Sequence, residues 1–597
     1  MGNSEGLWER ARAALAHPRV APAILIVALL VHAPSLGSGY VVDDHTHRFF
    51  ARGNTIPGGP RGVWDTYRFA DGGDGVRRAI SEGLHPWWTS PTLKLAFLRP
   101  VASLLRYAEE LFFGDHPALA HLVSIALFAG TCALLAGALR RWIGGAAAGL
   151  GALLFALDDA HATTVSWIAA RHALLAAFGG VLALFLVLRA RDRGKVSVGA
   201  GAALLFALLS SEAALGALPM LAVVFLVEDR RPARARAIAA APLVAAVAVW
   251  LGLYVALGCG ASSSAYYVDP VRSPSAFLRV AVVRLPSLAT AQLFFPPAEV
   301  ASMQPALAPA TALLGVGALV VLAALCFRSS ERRRAIALYT AFVLSLVPAC
   351  GTNSDDRLLM VAGIPAFALL GVLGRGAYGA LRDVGRSRVA AWAFFVGLGL
   401  VHVVAPLLLV VPRSLAFSSM MARFVDRGAE TLYAFERPED HDVLLVTSPD
   451  GLLPTSMFVS RRNAGLPVAR STRILATSPR GVVTVRRVDD RTIRVEASEG
   501  MMHDPFVGAV RDAPFREGDV ISAGAIVVRI ARTSPAEGVV AIDVTHERSL
   551  DAPEIVPVTW AREGPGGRPG YVRFTLPRVG ESASLEPVDF TDTLTRK

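Results

Sequence analysis

Four short polar runs hold most of the residues able to do chemistry: Asp43-Asp44-His45-Thr46-His47, Asp158-Asp159-Ala160-His161, Ser210-Ser211-Glu212 and Ser354-Asp355-Asp356-Arg357. Arg99, in Phe97-Leu98-Arg99-Pro100, and Arg171 add two further cations. A positioned carboxylate can take a proton from a hydroxyl. The planar fork of arginine holds a phosphate through two parallel hydrogen bonds. The runs adjoin long apolar stretches, and ionisable groups near membrane depth are costly enough to suggest function by default. Each run also has a plain reading. Asp43-Asp44 could be a polar helix end facing water, and Asp158-Asp159 a polar turn. Glu212 could be the structural partner of Arg171 or of another buried cation. Asp355-Asp356-Arg357 could form a surface ion pair. Asp43, Asp44 and His45 could hold a divalent metal, but the D-D-H-T-H run has no specific ligand spacing, so no metal is expected.

The elements that position these residues are membrane spans. The chain of 597 residues is 53% hydrophobic and only 18% charged, less charge than a soluble protein of this size carries. The net charge of +11 comes from arginines clustered between apolar runs, which is a topology signal; no nucleic-acid motif is present, and no nucleic-acid partner is expected. Residues 1–19 read as a cytoplasmic segment and Val20–Leu36 as an uncleaved first span. Arginine clusters then recur on one side: Arg140-Arg141, Arg189 to Lys195, Arg230 to Arg236, Arg328 to Arg334, and Arg375, Arg382, Arg386 and Arg388. Keeping them all inside requires about eleven spans over residues 20–412, Ala213–Val227 among them. It also leaves a long outer loop at 37–117 and a second outer segment from Gly258 to about Pro305. Parity places all four polar runs outside. The expected location is a bacterial-type inner membrane, multi-pass, with the N-terminus cytoplasmic.

Residues 413–597 change character. Runs such as Gly481–Val488, Arg491–Glu496, Ala525–Ile530, Val539–Val544 and Tyr571–Leu576 alternate apolar and polar residues, as half-buried strands do. The expected fold is therefore mostly α: a polytopic transmembrane helix bundle with a C-terminal extracytoplasmic β-rich domain, preceded by an α/β element near Asp442–Val446. His85-Pro86-Trp87-Trp88 in the first outer loop suits a membrane interface or a sugar-stacking surface. The four cysteines form no C-x-x-C pair, and Cys259 and Cys350 fall on the same oxidising side, where a disulfide is open to them.

The order of motifs resembles the GT-C superfamily of polytopic glycosyltransferases, which use polyprenyl-phosphate-linked sugars. Within it the chain is most similar to the protein O-mannosyltransferase-like branch that includes the transmembrane-and-tetratricopeptide-repeat proteins. That family opens its first outer loop with an acidic pair, matched by Asp43-Asp44. An Arg-Pro before a loop helix is matched by Arg99-Pro100, followed by Leu111-Phe112-Phe113-Gly114, Pro117 and His121-Leu122. A phrase of the form L-F-A-L-H-P-x-H-x-E-A-V-x-W-x-x-x-R-x-x-L-L-A is matched by Leu154 to Trp167, Arg171 and Leu174-Leu175-Ala176. Ser211-Glu212 with Leu218-Pro219, and Asp356-Arg357-Leu358-Leu359, match two later phrases. Here Asp158 and Asp159 replace the first His-Pro, Thr163 the Glu, Ser211 a Lys and Leu358 a Tyr, and a β-rich tail stands where the repeats would be.

The resemblance implies a GT-C-like bundle that moves a sugar from a polyprenyl-phosphate donor to a hydroxyl of a protein, lipid or glycan at the outer face, with inversion. Asp43 or Asp44 would be the base, and Arg357, Arg171, His161 and Arg99 would hold phosphate. Asp158, Asp159, Glu212 and Asp356 would complete the substrate site. A non-catalytic scaffold on the same fold and a transporter of lipid-linked sugar are the alternatives. The spans show few mid-helix charges and no matched pair of broken helices, which counts against transport.

Overall fold

The computed structural model describes residues 2–381, 385–504, 506–562 and 567–585, without the side chains of residues 2–5, 7, 416, 417 and 420–424; Arg382 of the last inner cluster lies outside it. The chain divides into two compact units. The first comprises Met1–Tyr40, Phe97–Cys259 and Asp269–Ser418, the second Val41–Ala96, Gly260–Val268 and Ser419–Lys597.

The first unit is helical. Among the described residues nine helical stretches are long and apolar enough to cross a membrane: Val20–Gly37, Pro117–Trp142, Ile168–Asp192, Ala233–Ala256, Pro274–Leu293, Pro305–Arg328, Arg332–Gly351, Asp356–Ala380 and Arg386–Leu415. Two shorter apolar helices, Gly145–Leu157 and Val198–Ser210, accompany them. Each of the nine holds an 18-residue window with at most two charged residues, close to the length a bilayer requires. On Pro305–Arg328 the side chains of Leu313, Val320 and Phe327 are exposed, a surface that lipid would cover. Asp356–Ala380 is the innermost helix, with every residue from Leu359 to Gly374 buried. Small residues let it close on Gly145–Leu157: a Cβ on Gly151 would meet the Phe367 carbonyl oxygen at 2.6 Å, and one on Gly371 would strike the Ala147 carbonyl.

Two helices depart from the sequence expectation. Ala213–Val227, expected as one span, is helical throughout but changes pitch, from a 3-10 turn Glu212–Ala217 through an α-helical stretch Leu218–Val223 to a π-turn Val224–Glu228, with Pro219 at the junction of the first two. Conversely, Pro274–Leu293 is a 20-residue helix inside what the charge pattern leaves as an outer segment. Arg279, Arg284 and Pro286 lower its hydropathy and conceal it. The Cys259–Cys350 disulfide is not formed. All four cysteines are buried, and the Cys350 thiol turns back onto the Leu346 carbonyl of its own helix, 3.4 Å away.

Among the described residues the second unit contains three sheets. Asp442–Ser448 pairs in parallel with Ser471–Thr477 on one side, through the helix Leu453–Asn463, and with Ile555–Arg562 on the other; Pro569–Arg573 adds an antiparallel edge. This is the α/β element expected near residue 442. A six-stranded antiparallel sheet takes Ser582–Leu585, Val483–Arg487, Thr492–Ala497, Gly538–His546, Ile526–Ser534 and Val520–Ala523 in that spatial order. The third sheet joins Arg68–Asp71 and Lys94–Ala96 to Gly260–Ser262. The sequence places residues 41–96 in a loop of the membrane domain, whereas here they pack with the C-terminal sheets. Trp87 and Trp88 are 2% and 1% exposed in the core of this unit, and Trp87 Nε1 donates to the Leu475 carbonyl at 3.3 Å. The pair therefore neither lies at a membrane interface nor stacks on sugar: burying two indoles supplies the core that a short segment cannot build alone.

Candidate functional site

Three of the four polar runs share one local device. The helix Gly145–Leu157 ends where Asp158 leaves the helical region, and Asp158 Oδ1 accepts from Ala160 N at 3.3 Å to cap the 3-10 turn Asp159–His161. Asp355 does the same for Asp356–Leu358, accepting from Arg357 N at 3.0 Å, and Ser211 for Glu212–Ala217, accepting from Ala213 N at 3.3 Å. A short polar residue in extended geometry ends one helix and starts the next turn. The acid after the cap in each run is thereby held at the end of an apolar helix.

Within the first unit two of these turns, those holding Asp159 and Asp356, converge on Arg413. Its guanidinium donates to Asp159 Oδ2 at 2.8 Å and to Asp356 Oδ2 at 2.5 Å, with Glu299 Oε1 at 3.4 Å. Asp356 Oδ1 also accepts from Ala298 N at 2.7 Å. Beside Asp159, Asp158 Oδ2 accepts from Gln292 Nε2 at 2.9 Å and lies 3.7 Å from His161 Nε2. One guanidinium thus faces several carboxylates in a buried setting. Burial, and after it the charge of Asp159, pushes Asp158 up to about 8, so it stands as a neutral acid at neutral pH. Burial, and after it Asp356 and Asp355, also raises Glu299. Burial, and after it His32, pushes His161 down to about 3, so its ring is neutral. The cluster can hold a proton on Asp158 while Arg413 neutralises its neighbours.

The other expected residues fall elsewhere. Arg171, expected at phosphate, is buried and ion-paired to Glu109; its Nε donates to Ser124 Oγ at 3.0 Å and an NH2 to the Ala120 carbonyl at 2.6 Å. Glu109 also meets Arg106 at 3.3 Å, so this is an internal ion network. Glu212 pairs with Arg99 rather than Arg171: Oε2 accepts from Arg99 Nε at 2.9 Å and Oε1 from Leu98 N at 3.0 Å. Arg357 lies with its guanidinium 4.9 Å from the centre of the Trp167 ring and 3.1 Å from Asp355 Oδ2, with 30% of its side chain exposed. Asp43 and Asp44 belong to the second unit. They open the helix Asp43–Ala51, where acids suit the helix dipole, and buried Asp44 accepts from Val41 N at 3.0 Å. Val42 just before them has φ 33°, a region β-branched residues avoid at a cost of about 1–3 kcal/mol. Among the described residues no group of three His, Cys, Asp or Glu side chains is arranged to hold a metal ion.

Sequence reasoning missed Arg413, Glu299 and Gln292. Two signals were available. Arg413 is a cation at the end of the last apolar run that the charge pattern places outside, where the inside bias of arginine does not account for it. Glu299 is the only acid between Asp269 and Glu331.

No protein-family model matches the chain, and no curated protein does. Among solved structures the chain is similar to ArnT from Cupriavidus metallidurans bound to undecaprenyl phosphate, with 16% identity over 76% of this chain and 89% of that one and a TM-score of 0.34. It is similar also to the same protein in the apo state, with 17% identity over 75% and 84% of the two chains and a TM-score of 0.33. Neither of these structures is described as an O-mannosyltransferase.

Proposed function

We propose that this chain is a GT-C-type membrane glycosyltransferase, moving a sugar from a polyprenyl-phosphate donor to an acceptor hydroxyl at the extracytoplasmic face with inversion. The observation that carries the reading is the convergence in the first unit. Segments at 158–161, 292–299, 356–357 and 413 bring acids, a histidine and arginines to the ends of apolar helices, where charge is costly unless it is used. Glycosyl transfer from a lipid phosphate needs a base for the acceptor proton and a cation for the departing phosphate. The base in this reading is Asp43 or Asp44, a role supplied by the motif resemblance and supported by the strained backbone of Val42 directly before them. Arg357, partly exposed on Trp167, is the phosphate ligand, with Arg99 second. Arg171, enclosed by Glu109, Ser124 and Ala120, positions helices instead. No metal enters the proposed chemistry.

One observation favours the alternative of a non-catalytic scaffold: Arg99, Arg171 and Arg413 each meet a carboxylate of the first unit. A transfer assay separates the two. Purified protein in nanodiscs is given radiolabelled polyprenyl-phosphate sugars and a cell-envelope extract, beside Asp43→Asn, Asp44→Asn and Arg357→Ala. Donor-dependent labelling lost in one Asp variant and in Arg357→Ala supports the reading. Labelling that survives in both Asp variants removes the proposed base, and a folded wild type that consumes no donor favours the scaffold.

A further inference from the structure

A cleft in the second unit opens where four segments meet: the loop after the helix Asp74–Ser81, the helix Leu453–Asn463, the strand Ser471–Thr477 and the turn before Ile526–Ser534. It measures about 600 Å³, counting the solvent at its mouth, and Trp87, Phe458, Ile474 and Ile526 give it apolar walls. Arg473 also lines it, and this arginine is only 8% exposed.

Neutral groups hold the Arg473 guanidinium. Its Nε donates to the Ala523 carbonyl at 3.1 Å, one terminal nitrogen to the Ser81 carbonyl at 2.9 Å, and the other to Ser471 Oγ. Buried Arg68, Arg106, Arg171 and Arg487 each meet a carboxylate. Arg473 forms no ion pair among the described residues; Asp442 and Glu547 act on it only from beyond contact. Asp442 is paired with Arg470 at 2.5 Å and reaches Arg473 through Ser471, whose Oγ donates to Asp442 Oδ1 at 2.6 Å. A buried cation without a counter-charge is costly, so the cleft is built around a charge that the chain itself leaves open. The three bonds to neutral groups leave part of the guanidinium's donor set for a ligand.

The remaining charges limit what that ligand can be. His85 lines the cleft too, and burial pushes it down to about 4, so its ring is neutral near neutral pH and adds no second cation. Glu82, on the lining, is exposed and opposes a highly charged anion. Arg470 already has Asp442. One interior positive charge is therefore left to complete, which suits a monoanion better than a dianionic phosphate. A planar carboxylate also matches the guanidinium fork.

We propose that this cleft binds a small organic carboxylate, with its carboxyl on the remaining N–H groups of Arg473 and its stem against Trp87, Phe458 and Ile474. The site belongs to the second unit, and its ligand does not depend on the glycosyl-transfer reading.

The test uses the full chain in nanodiscs and isothermal titration calorimetry. Benzoate and glucuronate are compared with neutral benzamide and glucose, and with inorganic phosphate. At least one of the two carboxylates should bind, with its neutral counterpart and phosphate about tenfold weaker or more. Arg473→Met should weaken that carboxylate by about tenfold or more, as loss of a charged hydrogen bond does. The carboxylate should also raise the unfolding temperature of the wild type and leave that of Arg473→Met unmoved. Glu82→Lys makes the exposed rim positive and should tighten binding several-fold at low salt, a gain that high salt removes. The proposal is overturned if neither carboxylate binds, if binding survives Arg473→Met undiminished, or if phosphate or the neutral counterpart binds as tightly. Should Arg473→Met fail to fold, Glu82→Lys decides: a carboxylate affinity that it leaves unmoved at low salt overturns the site, and a salt-sensitive gain supports it.

Discussion

Replacing Arg413 by methionine keeps an apolar stem of similar reach and removes the guanidinium. Two short hydrogen bonds are lost, at 2.8 Å to Asp159 and 2.5 Å to Asp356, with a longer contact at 3.4 Å to Glu299. Hydrogen bonds to charged groups contribute about 1.5–3 kcal/mol each, and taking one partner from a buried ion pair costs about 3–5 kcal/mol because the other charge stays uncompensated. Arg413→Met is therefore expected to lose about 3–5 kcal/mol at neutral pH. The loss should depend on pH, with a definite sign. Glu299 is already raised by burial and by its acidic neighbours, and Arg413 is what opposes that rise. Without the cation the folded state binds more protons than the unfolded state, so stability falls as pH rises. The deficit should be small in mild acid and largest in mild alkali. Thermal unfolding of the purified protein, followed by intrinsic fluorescence across that range, measures it. Arg413→Met/Asp356→Asn should recover part of the deficit, because one uncompensated charge has gone. An Arg413→Met variant that matches wild type at neutral pH, or whose deficit does not change with pH, would refute the claim that this guanidinium neutralises the cluster.

Three further outcomes are expected. Asp158 titrates at about 8 when folded against an ordinary 3.8, so the wild type loses stability as pH rises between those values; Asp158→Asn should remove that slope, matching wild type in acid and gaining on it toward alkaline pH, as read by pH-resolved thermal unfolding. Trp88→Ala opens the core of the second unit, where the indole packs against Trp87 at 5.5 Å, and should cost about 3–5 kcal/mol, seen as faster limited proteolysis within residues 419–585. Gly371→Val drives a branched side chain into the Ala147 carbonyl and should cost at least the ~1–3 kcal/mol of an overpacked core, with Gly371→Ala intermediate, by thermal unfolding in micelles.

Much of this architecture was legible from one-dimensional signals. Apolar length marked most of the spans, because a bilayer demands about 20 apolar residues whatever surrounds them. Period-two alternation marked Val483–Arg487 and Thr492–Ala497, because a strand with one buried face must alternate. Asp158, Asp159, His161 and Asp356 stood out because acids and histidine beside apolar runs are unusual. The helix Pro274–Leu293 was hidden because two arginines and a proline offset its apolar residues in any average along the chain. Trp87 and Trp88 were misplaced because indoles are enriched both at membrane interfaces and in cores, and local sequence does not distinguish the two.

Partnership was decided by the tertiary structure alone. Arg413 meets Asp159 across 254 positions of sequence, and Gln292 meets Asp158 across 134. Arg171 joins Glu109, and Glu212, which the sequence offers to Arg171 or another buried cation, goes to Arg99. A span's apolar length and an acid's presence at its end are local properties, which the order of residues sets by itself. Which cation faces which acid depends on how helices pack. Packing is settled by close approaches such as Gly151 against Phe367 and Gly371 against Ala147, whose effect on a distant ion pair is encoded in no single stretch of chain.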